Sequence, residues 1–369
     1  MGAPDSIAVG ETAYNNRDSS QPGNVNVDFC FQRESIMPRS PLFPVLLLLA
    51  LLAPAHARVS LDVGYMPILP VAQIFVIQGE DWAEAAGLEL NLVRFSDGPS
   101  MVKALVAGEL DVAYVGIGPA MVARARGVPL KVVAAAVKDH VGVIVQGEFA
   151  DYAGSGVMSE AIARFTAEQG RRPVFASFPT GSVPDTVLRY WLTERLHLDP
   201  EAVEIRGMGA NAVLEALLNG EVDAAGIMEP ILTAVREQVP EARLFAWGSR
   251  LLANHPGAVL TMTESTLADH PQAAEALVAL HIRATEILRR EPARAARHAQ
   301  PFLGDGSLPL ETVEQALLSP ALSYLADPRQ ISGTTVTMHD FQLDNGILAE
   351  PVPLGDLFEF SVYQGALGR

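Results

Sequence analysis

The sequence predicts an α/β protein of two lobes, each built on a parallel sheet, with two crossover strands joining them. Three observations carry this. Strand-like and helix-like stretches alternate from residue 59 to 137 and again from 174 to 247, the pattern of right-handed βαβ units. Glycine closes three successive helix-like runs, at Gly87, Gly108 and Gly127, where a left-handed cap is favoured. And one passage is written twice: ALVAGELDVAYVGIGP from Ala104 and ALLNGEVDAAGIMEP from Ala216 share A-L-x-x-G-E-x-D. Two copies so far apart cannot form a stacked solenoid, so the passage reads as one helix–Gly–strand–turn–helix unit used once per lobe.

The first lobe opens on VSLDVGY (59–65), a strand, followed by the amphipathic helix VAQIFVIQGEDWAEAA (71–86). LELNLVRF (88–95) is a strand, SMVKALVA (100–107) a helix, LDVAYV (110–115) a strand, AMVARAR (120–126) a helix and LKVVAAAV (130–137) a strand. The second lobe repeats the order: VFASF (174–178), helix 184–196, AVEIR (202–206), helix 212–219 closed by Gly220, VDAAGI (222–227), helix 231–239 and RLFAW (243–247). Between them lies a helix-like stretch, 148–172. HVGVIVQG (140–147) leads out of the first lobe and HPGAVLTMTES (255–265) leads back. Two such crossings make a hinge over a cleft. The implied boundaries are 58–143 plus 258–369 for lobe one and 144–257 for lobe two. Beyond Thr266, helices at 273–290, 292–300, 310–318 and 320–326 should pack on the first lobe, and 356–367 is a last amphipathic segment.

Charge narrows the function. With 43 acidic against 26 basic residues the net charge is −17, which argues against nucleic-acid binding. A single cysteine, Cys30, permits no internal disulfide and no cysteine-based metal centre, and the eight histidines are scattered. No metal or cofactor is expected. Residues 37–57 read as a cleaved export signal: Arg39, the apolar run Leu42–Pro54, then Ala55-His56-Ala57. That run is shorter than the roughly 20 residues of a membrane span, and no cysteine follows for lipid attachment. Residues 1–36 read as an extension upstream of the true start at Met37. No nucleophile–base set, P-loop or dinucleotide fingerprint is present, so no catalytic residue is assigned.

In open α/β sheets, ligands sit beyond the carboxyl ends of the strands, where helix starts offer free N–H groups and partial positive charge. Those turns carry Tyr65 and Pro67, Gly98 and Ser100, Gly118 and Pro119, Thr180, Gly181 and Ser182, Asn211, and Met228 with Glu229. None holds Lys or Arg, so an anion would be gripped by backbone amides and hydroxyls. Ser182 is an anion contact or a helix cap. Glu229 complements the helix dipole or pairs an ammonium. Tyr65 and Tyr114 floor the cleft or belong to the core. His140 and His255 flank the crossovers and line the cleft or lie on the surface. Asp111 and Asp223 stabilise turns.

These residues carry a resemblance. FSDGPSMVKALVAGELDVAYVGIGPAMVARARGVPLKVVAA (95–135), GYMPILPVAQIFVIQGEDWAEAAGLELNL (64–92) and ALLNGEVDAAGIMEP (216–230) resemble the solute-binding proteins of ABC importers for nitrate, sulfonate and taurine, a superfamily that includes pyrimidine-precursor binders. The resemblance implies a periplasmic, monomeric, type II (Venus-flytrap) binding protein that is not an enzyme and delivers its ligand to a membrane permease and ATPase. It also implies ligand contacts at the turns named above. The expected ligand is a small organosulfonate or related zwitterion such as taurine. The alternatives are a pyrimidine or other aromatic ring, nitrate or bicarbonate, and, in another class, a sensor domain presenting its ligand to a membrane kinase. Met228 stands where sulfonate and taurine binders carry Trp, and 148–172 replaces a short turn.

Overall fold

The computed structural model describes residues 58–368; the export signal, the upstream extension and Cys30 lie outside them. The strands in chain order are β1 (Val59–Tyr65), β2 (Leu88–Arg94), β3 (Val112–Gly116), β4 (Leu130–Ala135), β5 (Val137–Lys138), β6 (Gly142–Val145), β7 (Val174–Ser177), β8 (Glu204–Gly207), β9 (Ala224–Ile227), β10 (Arg243–Trp247), β11 (Ala258–Thr263) and β12 (Ser323–Tyr324). They form two five-stranded sheets, ordered β2-β1-β3-β11-β4 and β10-β6-β9-β7-β8, and a small pair, β12-β5. The two-sheet α/β architecture stands as expected.

The sheets are mixed, not wholly parallel. β11 runs antiparallel to both β3 and β4, and β6 runs antiparallel to β9 and β10. Each antiparallel strand is the one the chain enters after crossing from the other sheet, so its reversed direction follows from the path. Strands β6, β7 and β9 are buried along their whole length. Unbroken apolar runs of this kind belong to sheets covered on both faces.

The covering helices are α1 (Ala72–Gly79), α2 (Gly98–Ala107), α3 (Ile117–Ala125), α4 (Gly147–Ala153), α5 (Met158–Gln169), α6 (Val183–Tyr190), α7 (Ala210–Leu218), α8 (Ile231–Gln238), α9 (Pro271–Arg290), α10 (Pro292–Ala299), α11 (Leu310–Leu317), α12 (Arg329–Asp344) and α13 (Phe360–Ala366). The stretch 71–86 is not one helix: Asp81 takes a left-handed φ of 54° and separates α1 from a short turn at Trp82–Ala85. The stretch 184–196 ends its α-helix at Tyr190 and widens to a π-turn over Trp191–Arg195. Residues 320–326 are not helical, because Ser323 and Tyr324 pair with β5. The long helix α12 was not anticipated. It packs on α3 and α6, and α11 packs on α8, so the tail touches helices of both sheets rather than the first alone.

The repeated passage repeats in space. Gly108 and Gly220 both leave their helices with positive φ, 74° and 69°, a conformation that costs glycine nothing. Asp111 then accepts the backbone N–H of Asp62 in β1 at 2.9 Å, and Asp223 accepts that of Val174 in β7 at 2.7 Å. Each aspartate ties the incoming strand to its neighbour. Asp223 adds a two-pronged pair with Arg171 at 2.7 and 2.8 Å.

Candidate functional site

The turns leaving the carboxyl ends of the strands meet along one seam. A Cβ on Gly118, at the start of α3, would stand 2.6 Å from the carbonyl oxygen of Gly181 before α6. Gly209, before α7, lies against the Ser96 backbone. Glycine at 118 therefore permits a close backbone approach across the seam. Gln342 on α12 fastens the contact by donating Nε2 to the Gly181 carbonyl at 3.2 Å and to Thr186 Oγ1 at 2.9 Å.

Inside the seam is a small cavity of about 20 Å³, room for a water molecule or so. Its walls bring together Gly98, Pro119, His140, Ser182 and Met228 with Met66, Ile68 and Phe178. A groove of about 570 Å³ holds Pro67 and Asn211 on one flank. Another, of about 250 Å³, holds Thr180, Gly181 and again Pro119. Tyr65, Ser100, Gly118 and Glu229 line none of these three spaces. Tyr65 packs edge-on against Phe75 and Phe302 at 5.7 and 6.0 Å, and burial raises its phenol pKa. Tyr114 is fully buried beside His281; both tyrosines are core residues.

Carboxylates stand at three of the helix starts, those of α2, α6 and α8, while those of α3 and α7 carry no side-chain cap. Asp97 accepts the Ser100 N–H at 2.8 Å, and the Ser100 hydroxyl bonds back to the Asp97 carbonyl. Ser182 accepts the Asp185 N–H at 3.3 Å, while Asp185 accepts the Gly181 N–H at 3.3 Å and pairs with Arg189 at 2.8 Å. Glu229 accepts the Thr233 N–H at 3.0 Å. Burial raises the carboxyl pKa of both Asp185 and Glu229, with Arg189 and Ser319 the largest opposing influences. Ser182 is thus the cap of α6, Asp97 the cap of α2, and Glu229 reaches into the first turn of α8 from the residue before its cap, Pro230, so that a carboxylate stands at each of these three positive ends. In the larger groove Arg94 is held by Asp305 at 2.5 Å, and Asn211 donates to the same carboxylate at 3.2 Å.

His140 is the one ring with polar atoms in the cavity wall. It is 2% exposed, its Nδ1 lacks a hydrogen-bond partner, and burial together with His255 pushes its pKa well below the ordinary histidine value. His255 stands on the returning crossover, its ring 5.6 Å from that of His140. It is wholly buried, bonded to the Leu252 carbonyl at 2.8 Å, and depressed to about 4 by burial. Neither is a surface histidine. The crossovers touch there, with Lys138 bridging to Pro256 and the Asp139 N–H donating to the His255 carbonyl. Met66 lies in the turn with Tyr65 and Pro67 that sequence reasoning marked, but Ile68 and Gln342 were missed. Ile68 reads as an ordinary core residue, and Gln342 sits in a polar stretch whose helical period is weak.

Among the described residues no three His, Cys, Asp or Glu side chains converge as a metal would need, and no helix is long and apolar enough to cross a membrane. Comparison with known proteins matches residues 55–302 to the NMT1-like family. A Brucella abortus protein named, provisionally, as a binding protein is 27% identical over 309 residues, 82% of this chain and 90% of its own length. Among solved structures, the periplasmic nitrate-binding protein NrtA of Synechocystis superposes with TM-score 0.68 at 13% identity, covering 84% of this chain and 89% of its own. The alkanesulfonate-binding protein SsuA of Xanthomonas axonopodis, bound to MOPS, gives 0.65 at 19%, covering 82% and 98%. These likenesses carry the fold, and the family match carries the kinship: the chain belongs to the NMT1-like family and has the fold of periplasmic solute-binding proteins.

Proposed function

We propose that this protein is the solute-binding component of an ABC importer. Its ligand is held in the seam between two lobes, 58–143 with 258–369 and 144–257, and is passed to a membrane permease and its ATPase. Kinship with a named binding protein and with the fold of nitrate and alkanesulfonate binders supports this. Local matches to nitrate and bicarbonate transport ATP-binding proteins of Synechococcus elongatus point the same way, at 34% over 140 residues and 26% over 230. Export to the periplasm accords with the sequence signal at 37–57.

For the ligand, the wall chemistry favours a neutral ring of the pyrimidine kind over the organosulfonate first expected. One observation carries this: no Lys or Arg lines the cavity, while the carboxylates of Asp97, Asp185 and Glu229 accept N–H groups at or beside the starts of α2, α6 and α8. A sulfonate entering there would find no cation to pair with. A ring would meet Met66, Phe178 and Met228, with His140 Nδ1 to hydrogen-bond. Because the cavity holds little more than a water, the guest enters as the turns part about the crossovers. The organosulfonate reading keeps one support, Arg126 beside Thr180 in the flanking groove.

A thermal-shift series with pyrimidines, taurine, alkanesulfonates, nitrate and bicarbonate decides between them. A ligand at a hundred times its Kd stabilises by about 2.7 kcal/mol. Pyrimidines should raise the melting temperature and sulfonates leave it unmoved; the reverse pattern overturns the ring assignment. A flat response to all five classes counts against the importer role itself.

A further inference from the structure

Away from the seam, the second sheet carries a groove of about 710 Å³ that nothing above uses. One wall is its edge strand, β10, and the other is built by α4, the start of α5 and the π-turn at 191–195. The stretch 148–172, which stands in place of a short turn, therefore helps to build it.

The floor is aromatic and apolar: Trp191 and Phe245 have ring centroids 6.1 Å apart, and Leu196 lies beside them. Around the floor stand Arg195, Arg243 and Arg250, all exposed. None of the three has a carboxylate within ion-pairing distance among the described residues, and no Asp or Glu lines the groove. Glu194, next to Arg195 in sequence, accepts instead from the Thr193 hydroxyl. In a chain with 43 acidic side chains, most other arginines are paired, as Arg124 is with Glu264, Arg171 with Asp223 and Arg294 with Glu80. Three guanidinium groups without an ion pair about one apolar floor, one of them, Arg250, lying 5.5 Å over the Trp247 ring, are a local reversal of the protein's charge. Arginine and large aromatics without acids are also the composition of protein–protein contact centres.

The form of the edge says how a partner is read. The register between β10 and β6 slips between Leu244 and Ala246, leaving Phe245 as the extra residue. A bulge at an edge twists it away from regular strand addition. Recognition therefore falls to side chains: guanidinium forks for carboxylates, and the Trp191–Phe245 floor for apolar residues between them.

We infer that this groove docks an acidic peptide segment of a protein partner, one that interleaves Asp or Glu with large apolar residues. Kinetically, such a surface would draw an acidic segment toward an otherwise acidic protein.

The test uses the full chain and a fluorescein-labelled peptide alternating glutamate with leucine and phenylalanine, read by fluorescence anisotropy. A matched peptide with lysine for glutamate is the control. The acidic peptide should bind at least about ten-fold more tightly than the lysine peptide, and weaken as salt is raised. Replacing Arg195, Arg243 and Arg250 together by alanine should cost about ten-fold or more in peptide affinity. The seam ligand's affinity and the melting temperature should stay unchanged. Equal binding of the two peptides, or binding that survives the triple replacement, overturns the inference. Two other results overturn the choice of occupant: arginine-dependent binding to phosphatidylglycerol vesicles with none to the peptide, or an arginine-dependent dimer in sedimentation.

Discussion

Acid should loosen this protein through histidines that cannot reach water. His255 and His281 are wholly buried, and burial holds each near a pKa of about 4 against an ordinary 6.5. The unfolded chain protonates both near 6.5, so it binds more protons than the folded state between those values. Stability is therefore complete above about pH 6.5 and falls with pH until the folded rings protonate near 4. At pH 5 each ring costs about 2 kcal/mol, about 4 kcal/mol for the two, from the displacement in pKa. His140 acts in the same direction. Asp139, Asp185 and Glu229, whose carboxyl pKa values burial raises, act against it as the pH falls. Comparing proteins removes those carboxylates from the result. Urea unfolding at pH 7, 6 and 5 should show the native protein losing about 2 kcal/mol more than His281→Gln over that range. Equal pH dependence in both proteins would refute the argument, since it would mean that the buried ring contributes nothing to the proton balance.

Four further replacements test the seam and the repeated passage. Gly118→Ala places a methyl 2.6 Å from the Gly181 oxygen and 2.8 Å from Gln342 Nε2; calorimetric titration should find seam-ligand affinity reduced about ten-fold with the fold retained. Gln342→Ala frees two buried acceptors and should lower stability by about 1–3 kcal/mol in urea. Asp223→Ala should cost more than Asp111→Ala in the same assay. Asp223 holds Arg171 as well as a strand N–H, and bonds to charged groups are worth about 1.5–3 kcal/mol.

Strand order along the chain was legible because alternation and helix-closing glycines act locally. Asp111 and Asp223 were expected to stabilise local turns; each instead accepts an N–H from a neighbouring strand far back in the chain, Asp62 in β1 and Val174 in β7, a contact that local pattern does not reveal. Strand direction was not legible, because β11 reverses only on account of where the chain comes from. Residues 320–326 deceived in the other direction, since pairing with β5 overrode a weak helical pattern. At the seam, the turns found from strand ends did supply much of the cavity wall, from Gly98 and Pro119 to His140, Ser182 and Met228. Their chemistry was harder to foresee. Whether a serine before a helix faces a guest or its own backbone depends on neighbours such as Asp185, and the sequence does not say which N–H groups are already spent.

The position of β11 fixes when the molecule can finish itself. β4 follows β3 in the chain, yet the two are separated in the sheet by β11, a strand that the ribosome delivers only after the whole of the second sheet. Until it arrives β4 has no partner in its sheet, and this half of the protein must wait, incomplete, on a late keystone. Such distant pairing slows folding. A chain cut before Ala258 should therefore lose β4 as well as β11, although every residue of β4 would still be present.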